Sequence, residues 1–310
     1  MTQGLHDAAK AGRVVVAGGS GFIGRAVAAR LVASGLSVVI LTRRSGVEFS
    51  NGGVRYVQWD GQTAGPWCLE VDGADAVINL AGEPITGVWT SEKRQGILAS
   101  RILAGEALVE AIEASATPPK ALIQASAVGF YGDRGEERLD EASPAGKGFL
   151  PSVVEAWEAS TAAVGQRGVR RVVMRMAVVI GRGGFLPRAA GPFRIFLGGP
   201  LGNGRQWFPW VHIEDVAKAV EFVAGRSDLA GVFNVCAPSP IRQGEFARAL
   251  GGALRRPVLC PVPAFALRLG LGAMAREVLL TSQRVYPRRL VAEGFRFGYS
   301  TIRIALDSVL

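Results

Sequence analysis

Three glycines, Gly18, Gly21 and Gly24, fall at G-x-x-G-x-x-G spacing in the run VVVAGGSGFIG. At this spacing the first glycine permits a tight turn out of a strand. The second lets backbone approach a pyrophosphate, and the third lets a helix pack closely on the strand. Amide groups at the helix N-terminus then face the phosphates. Many glycine-rich turns bind nothing, so the motif has meaning only between a strand and a helix. Here Val14–Ala17 is a short apolar run of the buried parallel-strand type, and FIGRAVAARLVASG has helical periodicity and stops at Gly35. The expected chemistry is dinucleotide binding.

The second strand, SVVILT, ends in Thr42, Arg43 and Arg44. A site for NAD wants an acid there to hold the ribose 2′-hydroxyl. A hydroxyl and two guanidinium groups suit a 2′-phosphate instead, so the expected cofactor is NADP(H).

The elements that must position these residues form a series. DAVINLAG, ALIQASAVG and RVVMRMAVVIG are further strand-like runs separated by helical stretches. This alternation predicts an α/β fold with a Rossmann-type doubly wound parallel sheet. The dinucleotide-binding domain is placed at residues 12–180 and completed by 211–236, where EDVAKAVEFVAG and GVFNVCAP supply one more helix and strand. Residues 181–210 and 237–310 form a smaller C-terminal, substrate-side domain, rich in Gly, Pro and aromatic residues in its first part and Pro-rich and helical in the second.

Composition narrows the function classes. Hydrophobic residues make up 49% and charged residues 20%, enough for a real core. The three cysteines, Cys68, Cys236 and Cys260, are too few and too scattered for a disulfide framework, and with two histidines no metal site is expected. The net charge is +9, and from Cys236 onward 11 Arg face 4 acids. Such a surface attracts an anionic ligand or partner, but no helix concentrates the arginines and no aromatic stacking pattern accompanies them, so nucleic acid is not expected. The start, MTQGLHDAAKAGR, reads as a disordered tail without the apolar core of a signal peptide. PVLCPVPAFALRLGLGAMA is broken by three prolines and an arginine and does not read as a membrane span. A cytoplasmic protein without a membrane partner is expected; the oligomeric state is not legible.

With these residues in hand the chain resembles the short-chain dehydrogenase/reductase superfamily, in its extended, epimerase-like branch. GGSGFIG, NLAG, ASAVGFYG and WVHIEDVAKAV carry the resemblance. NLAGEPI, WTSEKRQGILASRI, GGPLGNGRQWFPWVHIEDV and LLTSQRVYPRRL resemble an atypical subgroup of epimerase family proteins that ends in a small domain of unknown function. The resemblance implies residue roles. Ser20, Gly21, Phe22 and Ile23 would line the pyrophosphate, and Thr42 and Arg43 the 2′-phosphate. Leu80, Ala81 and Gly82 would border the adenosine ribose, Arg101 would reach cofactor phosphate or ribose, and Val178 and Val179 would touch the nicotinamide side.

The same resemblance exposes departures. Family enzymes use Tyr-x-x-x-Lys on one helix face, the Tyr as acid/base and the Lys lowering its pKa. Counting from Glu158, those positions fall near Leu150 and Val154, and no Tyr-x-x-x-Lys occurs in the chain. Trp157 is expected to pack that helix on the core. Tyr299 and Arg303 share the spacing by coincidence. The usual serine falls on Ala127, with Ser126 one residue earlier. Ser126 and Tyr131 are the catalytic candidates, each set against a structural reading as a strand-end group. His212 reads as a half-buried structural residue at a helix entry. On the substrate side, Phe208 stands where the branch often carries a diphosphate-binding arginine. Arg205, Trp207, Phe208 and Trp210 are the expected substrate-side residues, and the aromatic wall points to an apolar or aromatic small molecule. The implied function is an NADP(H)-binding oxidoreductase of the epimerase family with a non-standard active site; the alternatives are a non-catalytic NADPH sensor or scaffold and a nucleotide-sugar epimerase.

Overall fold

The computed structural model describes residues 12–44 and 50–310. Of the expected N-terminal tail, residues 1–13, the first eleven lie outside the described residues, and Arg13 already belongs to the first strand. The chain begins β1 (Arg13–Ala17), α1 (Phe22–Ala33), β2 (Ser37–Thr42), β3 (Ser50–Asn51), β4 (Val54–Gln58), β5 (Ala76–Asn79), α2 (Ser91–Ala114) and β6 (Ala121–Ala127). It continues β7 (Arg138–Leu139), α3 (Phe149–Ala159), β8 (Arg170–Met176), β9 (Val178–Ile180), α4 (Leu186–Arg194), β10 (Trp207–Phe208), β11 (Trp210–His212), α5 (Ile213–Ala224) and β12 (Gly231–Val235). The last part holds β13 (Ile241–Arg242), α6 (Gln243–Leu254), α7 (Ala264–Leu271), β14 (Arg284–Val285), α8 (Arg288–Ala292) and α9 (Ile302–Asp307).

One sheet runs β12-β8-β6-β5-β1-β2-β4-β3. Every neighbouring pair is parallel except β4 with the short edge strand β3. Successive side chains on a strand face opposite sides, and both sides are covered. Val14, Val16, Val38 and Ile40 pack with Val27 and Leu31 of α1 and Val216 and Val220 of α5. Val15, Ala17, Val39 and Leu41 pack with Ala104, Leu108 and Ala111 of α2. Burial on both faces is why these strands read as continuous apolar runs.

From β1 the chain moves out one way to β2 and β4 and returns on the other side to β5 and β6. This reversal opens a crevice at the carboxyl ends of β1 and β5, where open α/β sheets hold ligands.

The C-terminal part has its own core, in which Leu186 and Phe193 of α4, Phe246 and Leu250 of α6, and Ile302 and Leu306 of α9 meet Trp210. It is joined to the sheet domain by short parallel pairings, β14 with β7 and β11 with β9, and by a small cluster of Trp89, Ile97, Leu150, Val153 and Met274.

Candidate functional site

The glycine turn sits at the crevice. Gly18 has φ +75°, and a Cβ on it would lie 2.7 Å from the Leu80 carbonyl, so the β1 and β5 loops touch through its missing side chain. A Cβ on Gly24 would lie 2.4 Å from Gly18 O, which fixes how closely α1 approaches the turn. Gly21 is the exposed N-cap of α1 and offers no capping side chain, and the first turn contains no acid. First-turn amides have no partner within a helix, so this end is prepared for an anion. Phe22, half-buried, lies against Gly181, Gly183 and Gly184, where added Cβ atoms would come within 2.6–3.0 Å of its ring. That contact joins the start of α1 to the segment after β9.

At the end of β2, Thr42 is buried, and its Oγ1 accepts from the Arg44 amide at 3.3 Å. Arg43 and Arg44 are exposed. Among the described residues neither pairs with a carboxylate.

The NLAG turn at the end of β5 is held by buried Asn79, which donates to Gln124 at 3.0 Å and accepts from the Ala81 amide at 3.1 Å. Arg101 projects from α2 against Gly82. Its guanidinium donates to the Glu83 and Ile97 carbonyls at 3.1 and 2.9 Å and stacks 4.9 Å from the Trp157 ring centre. Burial lowers its pKa to about 10, partly offset by Glu83. Glu83 itself pairs with Lys93, which leaves Arg101 a sheltered cation bonded to carbonyls.

Beside Arg101 a cavity of about 230 Å³ opens between the carboxyl ends of β6 and β8, helix α3 and the C-terminal part. Leu150, Val154, Trp157, Val178, Trp207 and Phe208 make most of its apolar wall. Its charged groups are Arg101 and Glu277. Glu277 accepts from the Leu150 amide at 2.7 Å, so the carboxylate reaches the first turn of α3 from the C-terminal part. Gln206 and Gln283 also reach the cavity, but their amide nitrogens donate to backbone carbonyls.

Away from the cavity, a buried polar chain crosses the core. Ser126 Oγ donates to Glu158 at 2.5 Å, and Arg175 binds both Glu158 oxygens at 2.8 and 2.9 Å. Arg175 also donates to the Tyr131 hydroxyl at 3.2 Å, which donates to Asn234 at 2.7 Å. Tyr131 has no exposed surface, and burial pushes its pKa up to about 12.

Comparison with known proteins places these features. The model of the NAD dependent epimerase/dehydratase family matches residues 14–236. The chain belongs to that family. A second family model, the domain of unknown function DUF1731, matches residues 262–309. The chain is 36% identical to epimerase family protein YfhF of Bacillus subtilis, over 96% of this chain and 97% of the relative. It is 37% identical to epimerase family protein SDR39U1 of Bos taurus, over 96% of this chain and 99% of the relative. The crystal structure of human SDR39U1 (isoform2) with NADPH has a TM-score of 0.85 to this chain at 34% identity, covering 96% of this chain and 98% of that one. The resemblance read from the sequence therefore names the right family, and the Rossmann-type sheet with a smaller C-terminal part is the fold observed.

Against this family background the candidate residues divide. Gly18, Ser20, Gly21, Phe22, Ile23 and Gly24 surround the first turn of α1, and Thr42, Arg43 and Arg44 end β2. Leu80, Ala81, Gly82 and Arg101 lie together beyond β5. Val178 lines the cavity, and Val179, half-buried, packs on the core beside it. Trp207 and Phe208 line the cavity; Arg205 and Trp210 do not. Trp210 is 1% exposed in the C-terminal core, because β11 pairs with β9 and carries it inward. Arg205 is exposed. Ser126 and Tyr131 are not on the cavity wall either: Glu158 accepts from Ser126, and the Tyr131 hydroxyl lies between Arg175 and Asn234. His212 caps α5 by accepting from the Glu214 amide at 3.3 Å, is 1% exposed and stacks on Tyr299; burial lowers its pKa. The sequence reading missed Glu277, Gln206 and Gln283, which come to the cavity from distant segments, and the glycine seat of Phe22. RGG following the β9 strand was the available signal for that seat.

Proposed function

We propose that the protein binds NADP(H) along the crevice and acts as an oxidoreductase on a small apolar or aromatic molecule. The observation that carries this is the pairing of two features on one edge of the sheet: an uncapped, glycine-lined helix start and a formed apolar cavity next to it. Several features of this chain fit the cofactor. A Cβ would fill the turn at Gly18 and at Gly24, the α1 amides lack an internal anion, and the β2 end offers cations and no acid. Gly21, Phe22 and Ile23 would hold the pyrophosphate, Thr42, Arg43 and Arg44 the 2′-phosphate, and Leu80 to Gly82 with Arg101 the ribose side. Val178 and Val179 would border the nicotinamide side. Bound NADPH supplies a hydride, and the chain's task is to orient the acceptor and exclude water. Trp207, Phe208, Leu150 and Val154 do this by walling the cavity. Human SDR39U1, whose structure contains NADPH, supports the cofactor choice.

Leu150 and Val154, near which the count from Glu158 puts the family's Tyr and Lys, line the cavity and offer methyl groups. That observation favours a second reading, an NADPH-binding sensor or scaffold that does not turn over. A nucleotide-sugar epimerase fits less well, because Phe208 lies near the position where the resemblance puts a diphosphate-binding arginine and the cavity holds only about 230 Å³.

The test is a fluorescence titration with NADPH and NADH, followed by a screen of carbonyl compounds for NADPH consumption. Tight NADPH binding with turnover supports the oxidoreductase. Tight binding with no turnover across a broad panel moves the conclusion to the sensor, and absence of NADPH binding removes both.

A further inference from the structure

Helix α7, AFALRLGL, is apolar in composition and buries none of its residues. Phe265 is 72% exposed and Leu269 87%. They stand four residues apart, on the same face of the helix. The adjoining surface repeats the pattern. After α4 the chain exposes Ile195, Phe196 and Leu197, and Leu259 is 74% exposed. Phe196 is held outward at φ +63°, a conformation costly for a bulky residue. The two stretches lie side by side. The Cys260 amide donates to Gly198 O at 3.2 Å and the Val262 amide to Pro200 O at 2.9 Å. Arg256 sits 4.7 Å from the Phe196 ring centre. Val262 leads through Pro263 into α7. Exposed apolar surface on this scale marks a contact site.

Its charge says what would cover it. Arg194 ends α4 just before Ile195, Arg255 and Arg256 precede Leu259, and Arg268 lies within α7. Among the described residues none of these four pairs with a carboxylate. A second copy would bring the same positive charge to the contact and be repelled. A nucleic acid would meet the charge but leave Ile195, Leu197, Leu259 and Leu269 in water. The boundary of an anionic bilayer meets both needs: acyl chains take the apolar side chains, and lipid phosphates take the arginines.

Against the sequence expectation of no membrane partner, we propose that this face, α7 with the turns at Ile195–Leu197 and Leu259, docks on an anionic lipid surface. No described helix is long and apolar enough to cross a membrane, so the contact is peripheral. The docked stretch continues into Ala275–Leu279, whose Glu277, Val278 and Leu279 line the cavity. An apolar ligand dissolved in the lipid would then lie one chain segment from the cavity wall.

The full chain is sedimented with vesicles of phosphatidylcholine alone and of about two parts phosphatidylcholine to one part phosphatidylglycerol. Binding is expected with the second kind only and should weaken as salt is raised. Phe265→Ser combined with Leu269→Ser should lower the partition coefficient about tenfold or more. Arg255→Gln combined with Arg268→Gln should lower it about tenfold, independently of any folding defect in the first variant. Circular dichroism and NADPH titration of both variants should match the unaltered chain. Absence of binding to the anionic vesicles overturns the proposal, as does equal binding to both kinds or retention by the serine variant. A dimer in light scattering that the serine variant dissociates, without vesicle binding, assigns the face to a second copy. Capture of single-stranded RNA in place of vesicles assigns it to nucleic acid.

Discussion

Helices α1 and α3 both begin at the carboxyl edge of the sheet, and their first turns are finished in opposite ways. α1 starts at Gly21 with no capping side chain and no acid. α3 starts at Gly148 without a cap of its own, but Glu277 supplies a carboxylate to the Leu150 amide at 2.7 Å. A helix start attracts negative charge through its free amides and dipole. At α3 the chain provides that charge from its own C-terminal part. At α1 no side chain of the described residues does so, and the first turn stands ready for an anion. The same physics therefore makes one helix start a candidate ligand site and the other a contact with the C-terminal part. The rest of α3 follows suit: Glu158 ties it to Arg175 beneath, and Trp157 fills the space under Arg101.

If α3 is a joint and α1 a ligand site, damage at α3 should appear as lost stability with the cofactor affinity intact. The largest expected effect is from Glu158→Ala. It leaves Arg175, whose side chain is 5% exposed, charged and unpaired. Loss of one partner of a buried pair costs about 3–5 kcal/mol, measurable by urea unfolding. NADPH affinity of the folded fraction should stay within about twofold; a larger change would mean the network reaches the cofactor crevice. Tyr131→Phe probes the same network by pH. Tyr131 has its pKa raised to about 12 by burial. Between pH 10 and 12 the unfolded chain loses that proton and the folded chain keeps it, so stability falls as pH rises, by about 2–3 kcal/mol at the upper end. The phenylalanine variant should lack this part of the alkaline decline while losing about 1 kcal/mol of hydrogen bonding near neutrality.

This contrast also explains what the sequence disclosed. The α1 site is legible because its requirements are steric and local: Gly18 must take φ +75°, Gly24 must touch Gly18, and both lie within a few residues of β1. Thr42 and Arg43 are legible for the same reason, since a strand end fixes their place. The cavity is assembled from residues far apart in the chain. Nothing near Glu277 in sequence says that it will meet Leu150, 127 positions away. Ser126 and Tyr131 carry suitable chemistry as residue types, but their partners arrive later in the chain: Glu158 of α3 accepts from Ser126, and Arg175 of β8 donates to Tyr131. WFPW reads as a single aromatic wall, yet the short strands β10 and β11 split it, with Trp207 and Phe208 toward the cavity and Trp210 into the core.

Damage at α1 should do the reverse. Gly18→Ala puts a Cβ 2.7 Å from the Leu80 carbonyl at a positive φ. The strain is worth about 1–3 kcal/mol, and it falls on the two loops that border the crevice. Stability should drop by part of that amount and NADPH affinity by about tenfold or more, by fluorescence titration. Unchanged affinity would place the cofactor elsewhere.

The smallest and most selective effect is from Arg43→Ala. Arg43 is exposed and unpaired among the described residues, so its removal should leave the unfolding midpoint unchanged. A charge-assisted bond to a 2′-phosphate is worth about 1.5–3 kcal/mol when sheltered. An exposed guanidinium is partly screened by salt, so a loss near the lower end, about tenfold in NADPH affinity, is expected. NADH lacks the 2′-phosphate, and its affinity should hardly move. The selectivity of the loss carries the argument: equal losses for both nucleotides would make Arg43 a general electrostatic aid, and Arg44 would then be the residue to alter next. A loss confined to NADPH, and smaller in high salt, places the phosphate at the end of β2 and extends the ligand site from the open start of α1 along that edge of the sheet.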